Sequence, residues 1–413
     1  MKKHESTTLL DRILFRLIDR YAYEILIFAL LVLALWIRIT MVPNCVLSAD
    51  YQNYYLPWTQ TYRSLGLAGG LRQGIGDYYI PYAFLFAFAA KLPCEPYLPI
   101  AVVHIAAEYV GAFFIYKIVR LVLDERDASR TEHNQRIAMA IGAALLYLPP
   151  VILNAALWKQ FDSLYTCFII ISLYLMMKER YAAAFIVYAI GFCFKLQAIF
   201  FLPFLLILYL SKKDFSIFQF FWIPFLYVLT GLPAVLCGRR WQDVYKTYLG
   251  NTGEYDGMSI NSTSFYQLGL NDYPALYRAA ILATVAIFAF AALYVIRKRK
   301  GLTLTNQFAL AAWCVWTAFM FLPGMHERYD YPAIILVCAL TWTLRRRIWI
   351  GLVMVIASVV TYSGAILWGT DISLSYMTIA CVAAYVVLTM DLVKSLSEAN
   401  AASIAAERPA SLS

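Results

Sequence analysis

Apolar stretches long enough to cross a bilayer recur from about residue 24 to about residue 393, separated by short polar knots. A hydrocarbon core roughly 30 Å thick takes about 20 apolar residues per helix. Backbone groups in lipid must be satisfied within their own segment, and long unalternating apolar runs do so as helices rather than as barrel strands. The expected class is therefore an all-α polytopic membrane protein. Composition agrees, because 62% hydrophobic and 14% charged residues in a chain of 413 leave too little polar surface for a water-soluble globule. Residues 1–413 read as a single integral membrane domain with no room for a soluble one.

The formal charge of +9 does not imply nucleic acid, since the basic residues cluster between apolar stretches where the positive-inside rule expects them. Lys2, Lys3, Arg12, Arg16 and Arg20 mark residues 1–23 as a cytoplasmic amino-terminal segment, and no small-residue cleavage site makes that segment a signal peptide. The eight cysteines are scattered singly without CxxC spacing and read as small buried hydrophobes.

Helices fit at roughly 24–42, 97–122, 136–151, 163–177, 181–194, 197–210, 216–237, 276–296, 304–322, 330–344, 347–368 and 373–393, about twelve crossings. With that count Arg126, Arg130 and Arg136, then Lys178 with Arg180, Lys212 with Lys213, Arg297 to Lys300 and Arg345 to Arg347 all fall inside. The agreement requires that the apolar piece at 79–92, only about 14 residues, stay at the outer interface without crossing. The first outer loop is then 43–96, with interfacial helices; a second outer loop is 238–275; a cytoplasmic tail is 394–413. A turn at membrane depth is expected at Phe194, Lys195 and Leu196, where irregular backbone is tolerated if it lines a cavity.

This topology gathers carboxylates, amides, cations and aromatics on the outer side. Tyr51, Tyr54, Tyr55, Trp58 and Tyr62 repeat at the spacing of one helical face, expected to lie among lipid headgroups. Asp50 and Asp77 each stand where a helix begins, and the plain reading of both is an N-cap. In Trp158-Lys159-Gln160-Phe161-Asp162, Trp158 and Asp162 share a face if the segment is helical. A carboxylate inside an apolar helix costs roughly 2.5–3.5 kcal/mol at mid-bilayer and so finds water or a partner. Lys195 is such a partner, and a cation on the outer side also suits a lipid phosphate. His326, Glu327 and Arg328 follow a helix end marked by Pro323 and Gly324. They read either as a solvated loop or as a phosphate or carboxylate clamp, while Arg239 and Arg240 read as interface anchors. Asn261-Ser262-Thr263 fits a glycosylation sequon.

Taken in order, SADYQNYYLPW, GDYYIPY, WKQFD, KLQ and HERYDYP resemble the motifs of the GT-C glycosyltransferases. The resemblance is closest to the mostly bacterial group related to the second mannosyltransferase of GPI-anchor synthesis, and it covers about residues 25–345. Two positions depart from the group's pattern: Lys159 stands where it often has glycine, and Asp330 where it has a leucine-like residue. The resemblance implies a membrane enzyme that takes one mannose-like hexose or pentose from a polyprenyl-phosphate carrier. The sugar passes to a hydroxyl of a glycan, lipid or protein acceptor. It also implies a bacterial plasma membrane location with the active site on the periplasmic or extracellular side, and Asp50 as catalytic base.

The residue chemistry is compatible with that implication. Attack of a hydroxyl on an anomeric carbon needs a base and a stabilised departing phosphate. Asp50 supplies the first, and Lys195, Arg328 and His326 the second. Asp77, Trp158, Gln160, Asp162, Gln197, Glu327, Tyr54 and Tyr55 are the expected sugar and acceptor contacts, and one displacement inverts the anomeric centre. No cofactor is required and no metal ligand set is assigned, although magnesium or manganese would fit Asp50 with Asp77 or Asp162. The competing readings are a transporter or flippase of lipid-linked glycans and a polysaccharide polymerase or ligase. Internal repeats favour the first, but none are visible; arginine-rich outer loops favour the second, and only Arg239 and Arg240 qualify.

Overall fold

The computed structural model describes residues 8–44, 48–251, 257–367, 369 and 371–407. Lys2 and Lys3, the end of the tail at 408–413, and the loop pieces 45–47 and 252–256 lie outside the described residues. The chain is an integral membrane protein, and its described residues are 82% helical, with one two-residue parallel strand pair and seven helices long and apolar enough to span a bilayer.

In chain order the helices are α1 (Leu9–Met41), α2 (Leu56–Gln73) entered through a π-turn at Tyr51–Tyr55, α3 (Ile80–Lys91), α4 (Tyr97–Arg126), α5 (Thr131–Leu145) and α6 (Pro149–Ile152). A second π-turn at Leu153–Leu157 precedes α7 (Asp162–Met177) and α8 (Tyr181–Phe194), and a 3-10 turn at Leu196–Phe201 leads into α9 (Leu202–Lys212). Then come α10 (Trp222–Leu236), α11 (Trp241–Tyr245), α12 (Thr247–Asn251), α13 (Tyr273–Arg297), α14 (Leu304–Phe321), α15 (Tyr331–Leu344), α16 (Ile348–Ile366) and α17 (Leu374–Glu407). Strand β1 (Ser259–Ile260) pairs with β2 (Met325–His326).

The seven spans are α1, α4, the stretch Ile217–Leu236 containing α10, α13, α14, α16 and α17. The segment expected as one helix at 136–151 is broken, with a 57° bend between Ala128–Leu145 and Pro149–Leu157. Adjacent Pro149 and Pro150 cause it, because proline removes a backbone donor and clashes with the preceding turn. Four other expected crossings, Asp162–Met177, Tyr181–Phe194, Leu196–Lys212 and Tyr331–Leu344, are apolar helices shorter than 18 residues.

Two expected segment boundaries shift. Residues 9–23 are not a separate segment: α1 starts at Leu9, where Thr8 and Asp11 form a reciprocal capping box, and runs 33 residues, roughly 50 Å. Likewise α17 continues through the expected tail to Glu407 and packs Leu396 and Asn400 against Gly301. Charged residues at both ends are good helix formers, so polarity marks where a helix leaves lipid and not where it stops.

The layers are sorted by burial. The α14 span is 83% buried, while those of α1, α10 and α13 are 17%, 11% and 17% buried and face lipid. The expected headgroup face of the first loop turns inward instead. Tyr51, Tyr55 and Tyr62 are each 2% exposed and pack with Tyr79, Tyr82, Phe86 and Phe161 inside the protein. The spacing identified a common face, but a tyrosine suits a protein interior with a polar partner as well as a headgroup layer. The sequon is also packed away: Asn261 donates to the Thr361 carbonyl at 2.9 Å, and Ser262 and Thr263 are buried.

A buried ion pair joins the lipid-facing and central layers. Arg38 of α1 donates through Nε to Glu108 of α4 at 2.5 Å, with both side chains at 0% exposure, and its other nitrogens reach the Ala34 and Leu146 carbonyls at 3.0 and 2.9 Å. Removing one partner strands a charge in a low-dielectric interior, whereas removing both leaves an apolar contact. Glu108→Ala is expected to lose about 3–5 kcal/mol of stability, and the double variant Arg38→Met, Glu108→Leu to recover most of it. Unfolding in detergent measures both; a single variant as stable as the parent would show that the pair contributes nothing.

Candidate active site

The segment from Asn154 to Asp162 is built as a tight turn, not as the helix that would put Trp158 and Asp162 on one face. The Leu153–Leu157 π-turn closes with Trp158 N–H donating to the Leu153 carbonyl at 2.8 Å and Gln160 N–H to the Asn154 carbonyl at 2.9 Å. Between them Lys159 adopts a left-handed conformation, φ +64°. Its fully buried ammonium donates back to the Ala156 carbonyl and, at 3.3 Å, to that of Leu157. These are end-of-helix carbonyls that would otherwise be short of donors.

The turn aims two side chains at Asp50. Trp158 Nε1 donates to Asp50 Oδ2 at 3.0 Å, and Gln160 Nε2 donates to the same oxygen. Ser48 fixes the backbone, donating to the Trp158 carbonyl at 2.6 Å and accepting from Tyr51 N–H at 3.1 Å. Asp50 makes no capping hydrogen bond, which corrects the N-cap reading. Its carboxylate is partly exposed, and with both bonds on Oδ2 its Oδ1 remains an available acceptor. Asp77 does not cap either: α3 begins from Tyr79 without a side-chain cap.

Asp162, fully buried at the start of α7, is the second node. Oδ1 accepts from Lys195 Nζ at 2.6 Å, and Oδ2 accepts from Asn154 Nδ2 at 3.0 Å with Arg328 Nε at 3.8 Å. Lys195 occupies the extended break between α8 and the following 3-10 turn, φ −149° and ψ 133°. Arg328 Nη1 donates to Glu327 at 2.6 Å, and its guanidinium lies 5.4 Å from the Trp158 ring centre and 5.7 Å from that of Tyr329. Lys195 lies 5.5 Å from the same Tyr329 ring. A continuous series of contacts thus runs Asp50, Trp158, Arg328, Asp162, Lys195.

His326 sits on β2, held beside Ile260 of β1, with Nδ1 3.9 Å from Glu327. Burial, then the Arg328 and Lys195 charges, push its pKa down to about 3. Its imidazole is held in the neutral form, able to hydrogen-bond without carrying a positive charge. Burial, followed by the Asp162 and Glu327 charges, raises the Asp330 carboxyl well above the usual carboxylate range.

A cavity of about 760 Å³ opens beside these groups. Lys195, Gln197, Arg328, His326, Asp77 and Tyr78 line its polar end, and Phe192, Phe200, Ile223, Pro224 and Ile281 its apolar wall. Asp50, Trp158, Gln160, Asp162 and Glu327 are not part of that lining. Three expected ring platforms are not available as such. Trp158, 4% exposed, is covered by Arg328 and by Tyr362, 5.0 Å away and edge-on. Tyr55 is stacked on Phe161 at 4.6 Å, with its hydroxyl 3.4 Å from Gln160 Oε1, and so props the turn. Tyr54 is 50% exposed beside Trp58 and joins none of these contacts. Sequence reasoning missed Ser48, Asn154 and Tyr362 as members of the network. Ser48 lay within a quoted motif and Asn154 four residues ahead of another, whereas nothing local marked Tyr362. Among the described residues no three His, Cys, Asp or Glu side chains form a group that could hold a metal ion, so no step below runs through one.

The left-handed backbone at residue 159 separates two effects of replacing the lysine. Glycine loses the ammonium clip but relieves the backbone, whereas alanine loses the clip and keeps the strain, at about 1–2 kcal/mol. Lys159→Gly is expected to unfold at a higher temperature than Lys159→Ala in detergent. The reverse order would mean that residue 159 does not hold a left-handed turn.

Comparison with known proteins places this geometry in a family. No curated protein matches the chain. The model of glycosyltransferase family 87 matches residues 78–323, more than half of its length. That stretch includes the Trp158–Asp162 turn, Lys195 and Gln197, and ends just before His326, Glu327 and Arg328. The chain belongs to glycosyltransferase family 87, and it is a membrane glycosyltransferase.

Proposed function

We propose that the chain transfers one sugar, a mannose-like hexose or a pentose, from a polyprenyl-phosphate donor to an acceptor hydroxyl, with inversion. The observation that carries this reading is one shared side chain. Trp158 holds the partly exposed Asp50 carboxylate on its indole nitrogen and carries the Arg328 guanidinium against its ring. A base and a phosphate-binding cation are thereby held apart by one indole, with Arg328 lining the large cavity and Asp50 partly exposed.

The chemistry follows from that separation. The donor phosphate occupies the polar end of the cavity, where Lys195 spends one donor on Asp162 and Arg328 Nε has no hydrogen-bond partner. The acceptor hydroxyl approaches Oδ1 of Asp50, and its proton moves to the carboxylate as its oxygen bonds to the anomeric carbon. The bond from that carbon to the phosphate oxygen breaks, and its electron pair stays on the phosphate. Preorganised cations are worth most there, because charge grows on those oxygens in a site shielded from water. Gln197, Asp77 and His326 orient the sugar; Gln160 and Asp162 act through Asp50 and Lys195. The apolar cavity wall contributed by the lipid-facing α10 and α13 suits an isoprenoid chain entering from the bilayer.

We place the site on the outer face of a bacterial plasma membrane, with the four short apolar helices and the bent segment completing twelve crossings, and no metal required. The motif order supports kinship with the second mannosyltransferase of GPI-anchor synthesis, and a glycan, lipid or protein as acceptor.

Asp50→Asn is expected to lower sugar transfer from a polyprenyl-phospho-sugar by about 10²–10⁴-fold, with donor binding and detergent unfolding temperature near those of the parent. Near-normal turnover in that folded variant would remove Asp50 as the base. Arg328→Lys keeps the charge but not the fork, and is expected to lower kcat about 10²-fold or more. An unchanged kcat there would show that the guanidinium does not meet the departing phosphate.

A further inference from the structure

We propose that Arg72 and Arg239 form a binding seat for the phosphate of an anionic membrane lipid, separate from the large cavity and independent of the transfer reaction. Arg72 lies in the last turn of α2, and Arg239 follows the end of α10. Each is seated on the glycine beside the other. A Cβ on Gly74 would lie 2.5 Å from the Arg239 guanidinium carbon, and a Cβ on Gly238 would lie 3.7 Å from Arg72 Nε. Both glycines hold positive φ, +73° and +95°, where a side chain is strained as well as obstructive. Arg239 therefore lies packed over Gly74 and the exposed Arg72 touches Gly238, so the two arginines lie side by side across the two turns.

Among the described residues the seat has no counter-charge: neither arginine side chain makes an ion pair or a hydrogen bond, and the neighbouring Arg240 takes Asp243 at 3.9 Å. The carboxyl ends of α2 and α10 contribute about half a negative charge each, roughly half of what two guanidiniums require. Two neighbouring forks with a residual positive charge suit a phosphate, which accepts several donors at once.

The surroundings select a lipid. The lipid-facing side of α10 carries Leu229, Leu232 and Leu236 at 48%, 41% and 77% exposure, and Trp241 just beyond is 60% exposed. An exposed apolar helix face that ends in an exposed tryptophan marks the depth at which acyl chains give way to headgroups. Arg239 stands between Leu236 and Trp241, at the level of lipid phosphates. Neither arginine lines the large cavity.

The test is titration of the detergent-purified full chain with short-chain phosphatidylglycerol, followed by unfolding temperature, with phosphatidylcholine and inorganic phosphate as parallel arms. Phosphatidylglycerol is expected to stabilise the parent most, and Arg72→Gln, Arg239→Gln to weaken its apparent affinity about tenfold or more. Gly74→Ala keeps every charge and fills the seat of Arg239, so it is expected to weaken binding similarly. Should Gly74→Ala lower the yield of folded protein, Arg239→Lys asks the same question with the turn intact. Equal affinity in the parent and the Arg72→Gln, Arg239→Gln variant would overturn the seat. Full affinity in Gly74→Ala or Arg239→Lys would reduce it to general electrostatic attraction, and an equal response to inorganic phosphate would remove the lipid.

Discussion

The Asp162 carboxylate is the constraint from which the centre of the molecule follows. It is fully buried at the head of a short apolar helix, where an uncompensated charge costs several kcal/mol. Three elements supply its partners, one local and two distant in sequence: Asn154 from the π-turn, Lys195 from the break between α8 and α9, and Arg328 from the connection ahead of α15. The same carboxylate cannot be satisfied unless all three converge. The helix break at Lys195 lets its ammonium reach Asp162 instead of facing lipid.

From that node the active-site arrangement is two contacts away. Arg328 reaches Asp162 on one side and the Trp158 ring on the other, and Trp158 reaches Asp50. The cations face the carboxylates of Asp162 and Glu327, while in the same surroundings the His326 pKa is pushed down and that of Asp330 is pushed up. A glycosyltransferase built this way holds its buried cations in place before substrate arrives, and in the proposed reaction little reorganisation is then needed as charge develops.

Much of this was legible before any coordinates, for identifiable reasons. Asp162 and Lys195 could be paired because both interrupt apolar stretches and each needs what the other offers. The turn at Phe194 to Leu196 was legible from two apolar runs meeting at a lysine. What misled was the ambiguity of residue types. The repeat of Tyr51, Tyr55 and Tyr62 gives a helical face without saying whether lipid headgroups or protein cover it. The arginines before residue 24 announce a cytoplasmic end without ending the helix. Trp158 and Tyr55 looked like open sugar platforms because an aromatic's exposure is decided by its neighbours, here Arg328, Tyr362 and Phe161.

The sequence by itself determined the solvent, the helical class and the inventory of charged groups, because the cost of leaving backbone or charge unpaired in hydrocarbon is local and large. Only the tertiary structure decided which groups meet and which stay charged. The turn that aims Trp158 and Gln160 at one oxygen of Asp50, the stacking of Arg328 on that same tryptophan, and the neutrality of His326 all depend on distances between segments remote in the chain. Electrostatic and packing energies change over a few ångströms, and no spacing along a sequence encodes those.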